Sequence, residues 1–512
     1  MKLSRLTRIS LLLAAFFFLD KVLAFARQVL IARQFGLSAE LDAFNVANNI
    51  PDLLFALISG GALAIAFIPV LSEVLTKSGQ KPAWLLFSRI ANLAFFVTVG
   101  LAILVAVFAV PMVKAEIGIA PGFTSAQQHL VINLMRMNLI ATLIFSISGL
   151  VMAGLQANQH FLLPAMAPLF YNIGQIIGVT ILSPEQGYTI GPVTLPGFGL
   201  GVQGLVYGVI IGAVLHLAIQ APGLARFHFS WSASLNLRDE AVRKVLRLMG
   251  PRLVTMFFIQ LIFLIRDNLA SRLAEGAVTS LTYGWMIQQV PETLIGTAIG
   301  TALLPTLSEH FTRGEKQAFS ETIEKAFKAL LALTLPIAAV LAVGLRPLLG
   351  IAFNFGAAGT SLLTWVTAAF MLGLFGHSLK EVSARAFYAS QNAWIPLATA
   401  GGNVLLYALT GALLYRPLGA AGIALTDSLI FSLEALVLLV LLMRSGRVTL
   451  NPGSTPWRAL LAFATAGAVT LLGVTLLEPR VHPLISGTVP MIAGFALSLP
   501  WIWREVKLLT NL

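Results

Sequence analysis

Apolar windows of about 20 residues recur along the chain, separated by short charged or Pro/Gly-rich breaks. A helix rises about 1.5 Å per residue, so each window is long enough to cross a hydrocarbon core of about 30 Å. The windows fall at 9–33, 43–72, 84–113, 128–154, 161–183, 199–222, 245–271, 278–308, 322–346, 361–388, 394–415, 420–443, 457–477 and 485–503. They predict an all-α polytopic membrane protein of about 14 transmembrane helices. Basic residues then set the orientation. The segment before the first span (Lys2, Arg5, Arg8) and the second, sixth, eighth and twelfth loops (Lys77, Lys81, Arg89; Arg226, Arg238, Arg243, Lys244, Arg247; Arg313, Lys316, Lys325, Lys328; Arg444, Arg447, Arg458) are basic. The odd-numbered loops hold about one each: Arg33, Lys114, Arg272, Arg346, Arg416 and Arg480. The positive-inside rule puts both termini in the cytoplasm.

The pattern repeats. Ile50-Pro51-Asp52 with Ala66-Phe67-Ile68-Pro69-Val70-Leu71-Ser72-Glu73 returns as Val290-Pro291-Glu292 with Ala302-Leu303-Leu304-Pro305-Thr306-Leu307-Ser308-Glu309. Gln156-Ala157-Asn158-Gln159, Pro164 and Asn172 return as Tyr388-Ala389-Ser390-Gln391, Pro396 and Asn403. The matches join spans 2 and 8 and spans 5 and 11. The period is therefore six helices, and both halves run in the same direction across the bilayer. The expected organisation is an N-lobe at 1–223, a cytoplasmic linker at 224–244, a C-lobe at 245–443 and a C-terminal helix pair at 457–506 outside the duplication. A duplicated hydrophobic chain is the signature of a transporter with a central site.

Composition narrows this further. The 512 residues are 57% hydrophobic and only 11% charged, whereas soluble domains carry roughly 25% charged residues. The formal charge of +12 could suggest nucleic acid, but the basic residues sit singly or in short loop clusters. They fit topogenic charge and anionic lipid headgroups instead, so membrane lipids are the expected partner and nucleic acid is not. There is no cysteine, hence no disulfide or thiol chemistry. The first apolar run is interrupted by Asp20, Lys21 and Arg27 and has no small-residue cleavage site, so it is expected to be retained. No phosphate loop after a strand, HExxH motif or acidic metal-binding loop occurs, and no enzyme activity, metal or cofactor is expected.

The chemistry should lie where charge interrupts the apolar spans. Each charge near mid-bilayer costs roughly 2.5–3.5 kcal/mol, so such groups should face one another or a wet cavity. Asp42, Asn45, Asn49 and Asp52 step by three and four along span 2 and share one helical stripe. Gln288, Gln289 and Glu292 surround Pro291 at the matching place in span 8. A polar stripe in each half predicts a shared hydrophilic cleft. Lys21, Arg27, Asp42, Asn45, Asn49, Asp52, Arg266 and Gln289 are the candidate substrate-binding residues. Asp20, Asp267, Glu292, Glu381 and Asp427 are candidates for gating or ion coupling. Plainer readings stand beside these. Asp20 with Arg27 and Arg266 with Asp267 would serve as local pairs, Glu381 would pair with Arg385 while Arg385 snorkels to the interface, and Asp427 and Glu434 would pack helices. Pro51, Pro69, Pro291 and Pro305 would bend helices. His160 and His377 read as isolated hydrogen-bonded histidines.

Several of these stretches resemble the MurJ (MviN) family of the multidrug/oligosaccharidyl-lipid/polysaccharide exporter superfamily. The resemblance rests on Phe25-Ala26-Arg27, Ile31-Ala32-Arg33-Gln34-Phe35-Gly36, Asp42-Ala43-Phe44 and Ile50-Pro51-Asp52-Leu53-Leu54. It continues through Ala66-Phe67-Ile68-Pro69-Val70-Leu71, Ala120-Pro121-Gly122-Phe123, Met249-Gly250-Pro251, Gly300-Thr301-Ala302-Leu303-Leu304-Pro305 and Phe387-Tyr388. It implies two six-helix lobes in a V, two C-terminal helices forming a lipid-tail groove, and flipping of lipid II between leaflets of the bacterial inner membrane. Lipid II is the undecaprenyl-diphosphate-linked peptidoglycan precursor. A diphosphate needs fixed cations, and guanidinium binds it bidentately.

Departures are visible. The family's two span-1 arginines align to Lys21 and Arg27, its span-2 arginine to Phe55, the following glutamate to Gly60 and its span-8 arginine to Met286. Another polyprenyl-diphosphate-linked glycan, of the O-antigen or exopolysaccharide type, is therefore the alternative substrate. A cation-coupled drug exporter is a further rival, and a non-transporting scaffold for cell-envelope enzymes another. Cell-wall synthesis enzymes are candidate partners and the chain is expected to be a monomer. Na⁺, H⁺ or the membrane potential, worth about 2.3 kcal/mol per charge per 100 mV, would drive the cycle.

Overall fold

A computed structural model of the chain describes residues 5–58, 61–190 and 192–508. It divides into two compact units, Met1–Leu264 and Ile265–Leu512. Gly60 lies outside the described residues.

The first unit contains α1 (Arg5–Phe35), α2 (Ala39–Ile58), α3 (Gly61–Ser78), α4 (Gln80–Lys114) and α5 (Ser125–Ala157). Then come α6 (Leu162–Ile177), which runs into a π-helical turn Gly178–Leu182, α7 (Val202–Ala218), the short α8 (Ala221–Arg226) and α9 (Glu240–Ala270). Local chemistry explains the starts. Ser38 Oγ accepts from the amide of Leu41 at the head of α2, and Thr124 and Gln127 close a reciprocal capping box on α5. Between α6 and α7 the chain forms a small departure from an all-helical fold. Strands β1 (Thr189–Ile190) and β2 (Val193–Thr194) pair antiparallel, Thr189 opposite Thr194.

The division between units falls inside α9, later than the linker at 224–244. The start of α9 packs on the first unit. Val242 and Val245 are buried with Phe67, Leu71, Trp84 and Phe87, and Trp84 Nε1 donates to the carbonyl of Phe227 at 3.1 Å. Arg89 Nη1 meets Asp239 Oδ2 at 2.5 Å. Lys244 and Lys77 reach Glu73 at 2.6 and 2.8 Å. Beyond the apolar stretch, these two ammonium groups, Lys244 foremost, hold the Glu73 carboxyl down to about 2.

Helices α6 and α7 touch backbone to backbone. A Cβ on Gly174 would lie 2.3 Å from the Cα of Gly212, and one on Gly178 would lie 2.7 Å from the Cα of Gly208. Glycines four apart on both helices allow this approach, which replaces the hydrophobic drive absent in lipid by close van der Waals contact. Gly174→Val is expected to lower stability by about 2 kcal/mol, because the facing atoms are backbone and cannot rotate away. A thermal midpoint of the detergent-solubilised protein equal to wild type would contradict this.

The second unit contains α10 (Ala277–Glu292), a π-helical turn Thr293–Thr297, α11 (Ala298–Thr312), α12 (Lys316–Gly344), α13 (Arg346–Phe353), α14 (Gly356–Met371) and α15 (Leu374–Ala389). They are followed by α16 (Trp394–Arg444), α17 (Thr455–Leu477) and α18 (Pro483–Leu508). Helix α16 is two helices merged across Gly419, whose φ of 59° and ψ of −142° break the helical path where only glycine fits comfortably. The C-terminal pair packs on itself and on α12, with Ala332, Ala462 and Ile502 buried together. Arg458 Nη1 reaches Glu505 Oε1 at 3.1 Å between α17 and α18.

The described residues of each apolar window expected from sequence lie largely on helix. Among the described residues, ten helices are long and apolar enough to cross a membrane, and eleven if the 40° bent pair α14–α15 counts as one span. The chain is thus a polytopic helical membrane protein. Fourteen crossings stays an expectation.

The duplication is written in the backbone. Gln159 and Gln391, equivalent in the repeat, are both left-handed, at φ 59° and 58°. In each copy the left-handed glutamine amide returns to a carbonyl three residues back, Gln159 to Gln156 and Gln391 to Tyr388, both at 2.9 Å. The next amide closes a six-residue ring, His160 to Leu155 and Asn392 to Phe387, also at 2.9 Å. This is the helix-ending turn usually built on glycine. Finding it twice on glutamine ties α5 to α15.

Candidate functional site

In the first unit the span-1 charges meet α6. Arg27 Nη1 donates to Asn172 Oδ1 at 2.8 Å, and Asn172 Nδ2 donates to Asp20 Oδ1 at 2.8 Å. Asn172 is 3% exposed, so one buried amide holds both the cation and the anion. The Nε of Arg27 is buried with no hydrogen-bond partner. Lys21 lies 3.7 Å from Asp20, with its side chain 83% exposed. Asp20 and Arg27 therefore do not pair directly as the seven-residue spacing suggested. They are bridged.

The span-2 stripe grades from buried to open. Asp42 is 1% exposed in the first turn of α2, where the helix dipole favours a carboxylate. Asn45 and Asn49 are half-buried and Asp52 is exposed. Asn48, beside the stripe, accepts from Asn138 Nδ2 of α5 at 2.6 Å. Phe55 stands edge-on to Phe145 at 5.3 Å, and Phe145 to Tyr171 at 5.2 Å. An aromatic run thus occupies the ground beside Asn172 where the family resemblance leads one to expect an arginine.

In the second unit two of the candidate charges form a buried pair. Arg266 and Asp267 are buried, and Arg266 Nε meets Asp267 Oδ1 at 2.8 Å. The guanidinium is thus engaged inside the unit rather than standing open for a substrate. Gln289 is exposed, whereas its neighbour Gln288 is fully buried with both amide atoms unpartnered. Met286 is half-buried. Arg385 does not reach away from the protein as expected. Its Nη1 donates at 2.8 Å to the carbonyl of Thr297, in the π-helical turn, and its Nη2 lies 3.4 Å from Glu381. A π turn shifts the usual i→i+4 pairing of the backbone, and the guanidinium takes up a carbonyl there.

Asp427 belongs to a larger cluster. Asp427 Oδ1 is 2.9 Å from His377 Nε2, and Glu292 Oε1 is 4.0 Å from His377 Nδ1. Lys380 Nζ sits 4.6 Å over the Phe431 ring, and the His377 ring lies 4.4 Å from it. Glu434 accepts from Asn403 at 2.6 Å and from Thr399 at 3.1 Å. Asn403 is the repeat counterpart of Asn172, so the same amide serves a carboxylate in each unit. Sequence reasoning passed over Asn138, counted Lys380 only among the charges that interrupt span 10, used Asn172 and Asn403 only to mark the repeat, and took His377 as isolated. The recurrence of Asn172 and Asn403 was the signal that could have found the hubs.

Comparison with known proteins adds the family. The family described as "Lipid II flippase MurJ" matches residues 31–492. The "Lipid II flippase MurJ" of Burkholderia cenocepacia is 30% identical over 478 residues, which cover 92% of this chain and 89% of that protein. The "Probable lipid II flippase MurJ" of Buchnera aphidicola subsp. Acyrthosiphon pisum is 26% identical over 90% of this chain and 88% of that protein. A solved "Lipid II flippase MurJ, inward closed conformation" aligns with a TM-score of 0.75 at 20% identity, covering 97% of this chain and all of that one. An inward-facing multidrug resistance MATE family transporter of the MOP superfamily aligns at 0.66 and 14% identity over 83% of this chain and 94% of its own, a likeness of fold alone. With its match spanning most of the sequence, and with relatives aligned almost end to end, this chain belongs to the lipid II flippase MurJ family.

Proposed function

We propose that this protein carries lipid II across the bacterial inner membrane by alternating access, from the cytoplasmic to the outer leaflet, with both termini cytoplasmic. The observation that carries the reading is the Arg27 station. A guanidinium within a membrane helix is tied by one arm to a buried amide, and its Nε is buried without a partner. A guanidinium so placed is suited to a phosphate oxygen, because its planar fork pairs with oxyanions bidentately. Lys21, largely exposed one turn and a half away, supplies a second, mobile cation for the same diphosphate. Asn45, Asn49 and Asp52 offer amide and carboxylate partners for sugar hydroxyls. The undecaprenyl tail stays in lipid, beside the apolar faces of α17 and α18. The reading takes the protein as a monomer without a bound cofactor.

Phe55, packed on Phe145, favours one second reading: a headgroup carried on polyprenyl diphosphate other than that of lipid II. Proteoliposomes settle both. Fluorescent lipid II should gain outer-leaflet accessibility with the protein present and not with an Arg27→Ala variant. If only polyprenyl diphosphates bearing other glycans move, the lipid II assignment fails. If neither moves, the transport reading fails.

A further inference from the structure

The two copies of the repeat differ in one respect that the flippase reading does not use. In the first unit, α5 buries only neutral polar side chains: Asn138, Thr142, Ser146 and Ser148. Its counterpart α15 carries His377, Lys380, Glu381 and Arg385 in the second unit. His377 is 5% exposed, Asp427 6% and Glu434 5%, so this is a titratable cluster inside the membrane protein and not on its surface.

We propose that His377, Asp427 and Glu292 form a proton-binding site in the second unit, and that a proton is the ion that moves with each transport cycle. The geometry sets the two states. The imidazole nitrogens face carboxylates on different helices: Nε2 is hydrogen-bonded to Asp427 of α16 at 2.9 Å, whereas Nδ1 stands 4.0 Å from Glu292 of α10, beyond hydrogen-bond reach. With a proton on each nitrogen, Glu292 can close the remaining gap to Nδ1, and the ring then donates to both carboxylates and ties α10 to α16 through α15. With one proton, the bond to Asp427 keeps it, and Nδ1 turns a lone pair toward the Glu292 carboxylate, which must move away. The surroundings leave a charge for that proton to balance. Glu292, Glu381, Asp427 and Glu434 all act on Lys380, and Arg385 pairs with Glu381, so carboxylates outnumber cations in this cluster, and an unbalanced carboxylate in a membrane interior is costly.

Several other charges on the elements packed against α15 are matched, while Lys325 of α12 and the fully buried Tyr407 of α16 are further titratable groups there. Arg266 pairs with Asp267, Lys328 of α12 pairs with Glu324, Glu309 of α11 pairs with Arg313, and His310 meets Glu315. The π turn and α14 contribute no titratable side chain to it.

A second observation is independent of charge. Gln288 lies one turn before Glu292, fully buried, with both its amide oxygen and nitrogen unpartnered. Ser378, next to His377, is likewise fully buried with its hydroxyl unpartnered. Buried hydrogen-bonding capacity is thus left open on the two helices that carry Glu292 and His377. Glu292 also ends α10 at the point where Pro291 and the π turn Thr293–Thr297 break regular pairing, so the group that must move stands on deformable backbone. A local protonation that biases a two-state element is how proton-driven switches operate.

The site can be tested on the protein alone. The chain has no cysteine, so Leu294→Cys and Leu429→Cys, both exposed and flanking the two carboxylates, can be spin-labelled cleanly in nanodiscs. Wild type should show two distance populations whose ratio changes at least tenfold between pH 5.5 and 8.5, shorter at acid pH and equal in Na⁺ and K⁺ buffers. His377→Gln should remove the response. Asp427→Asn, which keeps an acceptor on Nε2 without the charge, should move its midpoint about 1 pH unit toward acid. Should His377→Gln not fold, Glu292→Gln serves in its place and should likewise remove the response, since the moving partner has lost its charge. A pH-independent ratio in wild type, a response surviving in His377→Gln or Glu292→Gln, an unmoved midpoint in Asp427→Asn, or a response that follows Na⁺ overturns the proposal. The coupling step rests on the transport reading, and vesicles holding a pH dye separate the two. Lipid II movement without proton movement rejects coupling and leaves the flippase standing. Proton-dependent distances with no lipid II movement reject the flippase reading and its coupling step, and leave the proton-binding site standing.

Discussion

Arg27→Ala should abolish growth rescue in a strain depleted of its own lipid II flippase, and should lower lipid II transport in proteoliposomes about 100- to 10,000-fold at equal protein level. The size follows from what is lost. Two hydrogen bonds from a guanidinium to a phosphate contribute roughly 1.5–3 kcal/mol each, and about 1.4 kcal/mol is a factor of ten. Arg27→Lys keeps the charge but not the fork, and a loss near tenfold is expected. Asn172→Ala frees the Nη1 arm now held at 2.8 Å and leaves Asp20 without its donor. It should lower transport about as much as Arg27→Lys while leaving the charge in place. Lys21→Ala should cost least, since that side chain is 83% exposed and adapts its position. Wild-type transport by Arg27→Ala would remove the diphosphate station from the mechanism. Normal transport by Asn172→Ala would show that the amide only packs α1 on α6.

The helices were legible because their apolar windows are long and their breaks are charged, and that signal needs no tertiary information. The duplication was legible too, from Pro51 and Pro291 and from Asn172 and Asn403. What could not be read was which polar groups meet. Helical spacing reports which residues share a face of one helix, as it did for Asp42, Asn45, Asn49 and Asp52. It says nothing of a partner 145 residues away, which is where Arg27 finds Asn172. His377 looked isolated for the same reason, because Asp427 is 50 residues on and Glu292 lies on a third helix. The reach of Arg385 was misread because the π turn that exposes the Thr297 carbonyl has no signature in hydropathy. The unit division inside α9 shows a related limit. A linker was read from its charges, while those same charges, Asp239 to Arg89 and Lys244 to Glu73, fasten the start of α9 to the first unit.

Asp267→Ala should be among the most destabilising single changes in the second unit, by about 3–5 kcal/mol. It leaves the Arg266 guanidinium short of its carboxylate at a site where Asp267 is fully buried and Arg266 is only 7% exposed. Removing both charges is a different experiment. Arg266→Met with Asp267→Leu fills the same volume without ions, and buried pairs replaced in this way are often neutral or up to several kcal/mol more stable. The double variant should therefore melt at or above the wild-type midpoint in detergent, although Asp267→Ala alone melts far below it. Transport then separates structure from substrate binding. A local pair predicts lipid II movement by the folded double variant within a few-fold of wild type. A double variant that folds at wild-type stability yet carries no lipid II would return Arg266 to the cations that hold the diphosphate.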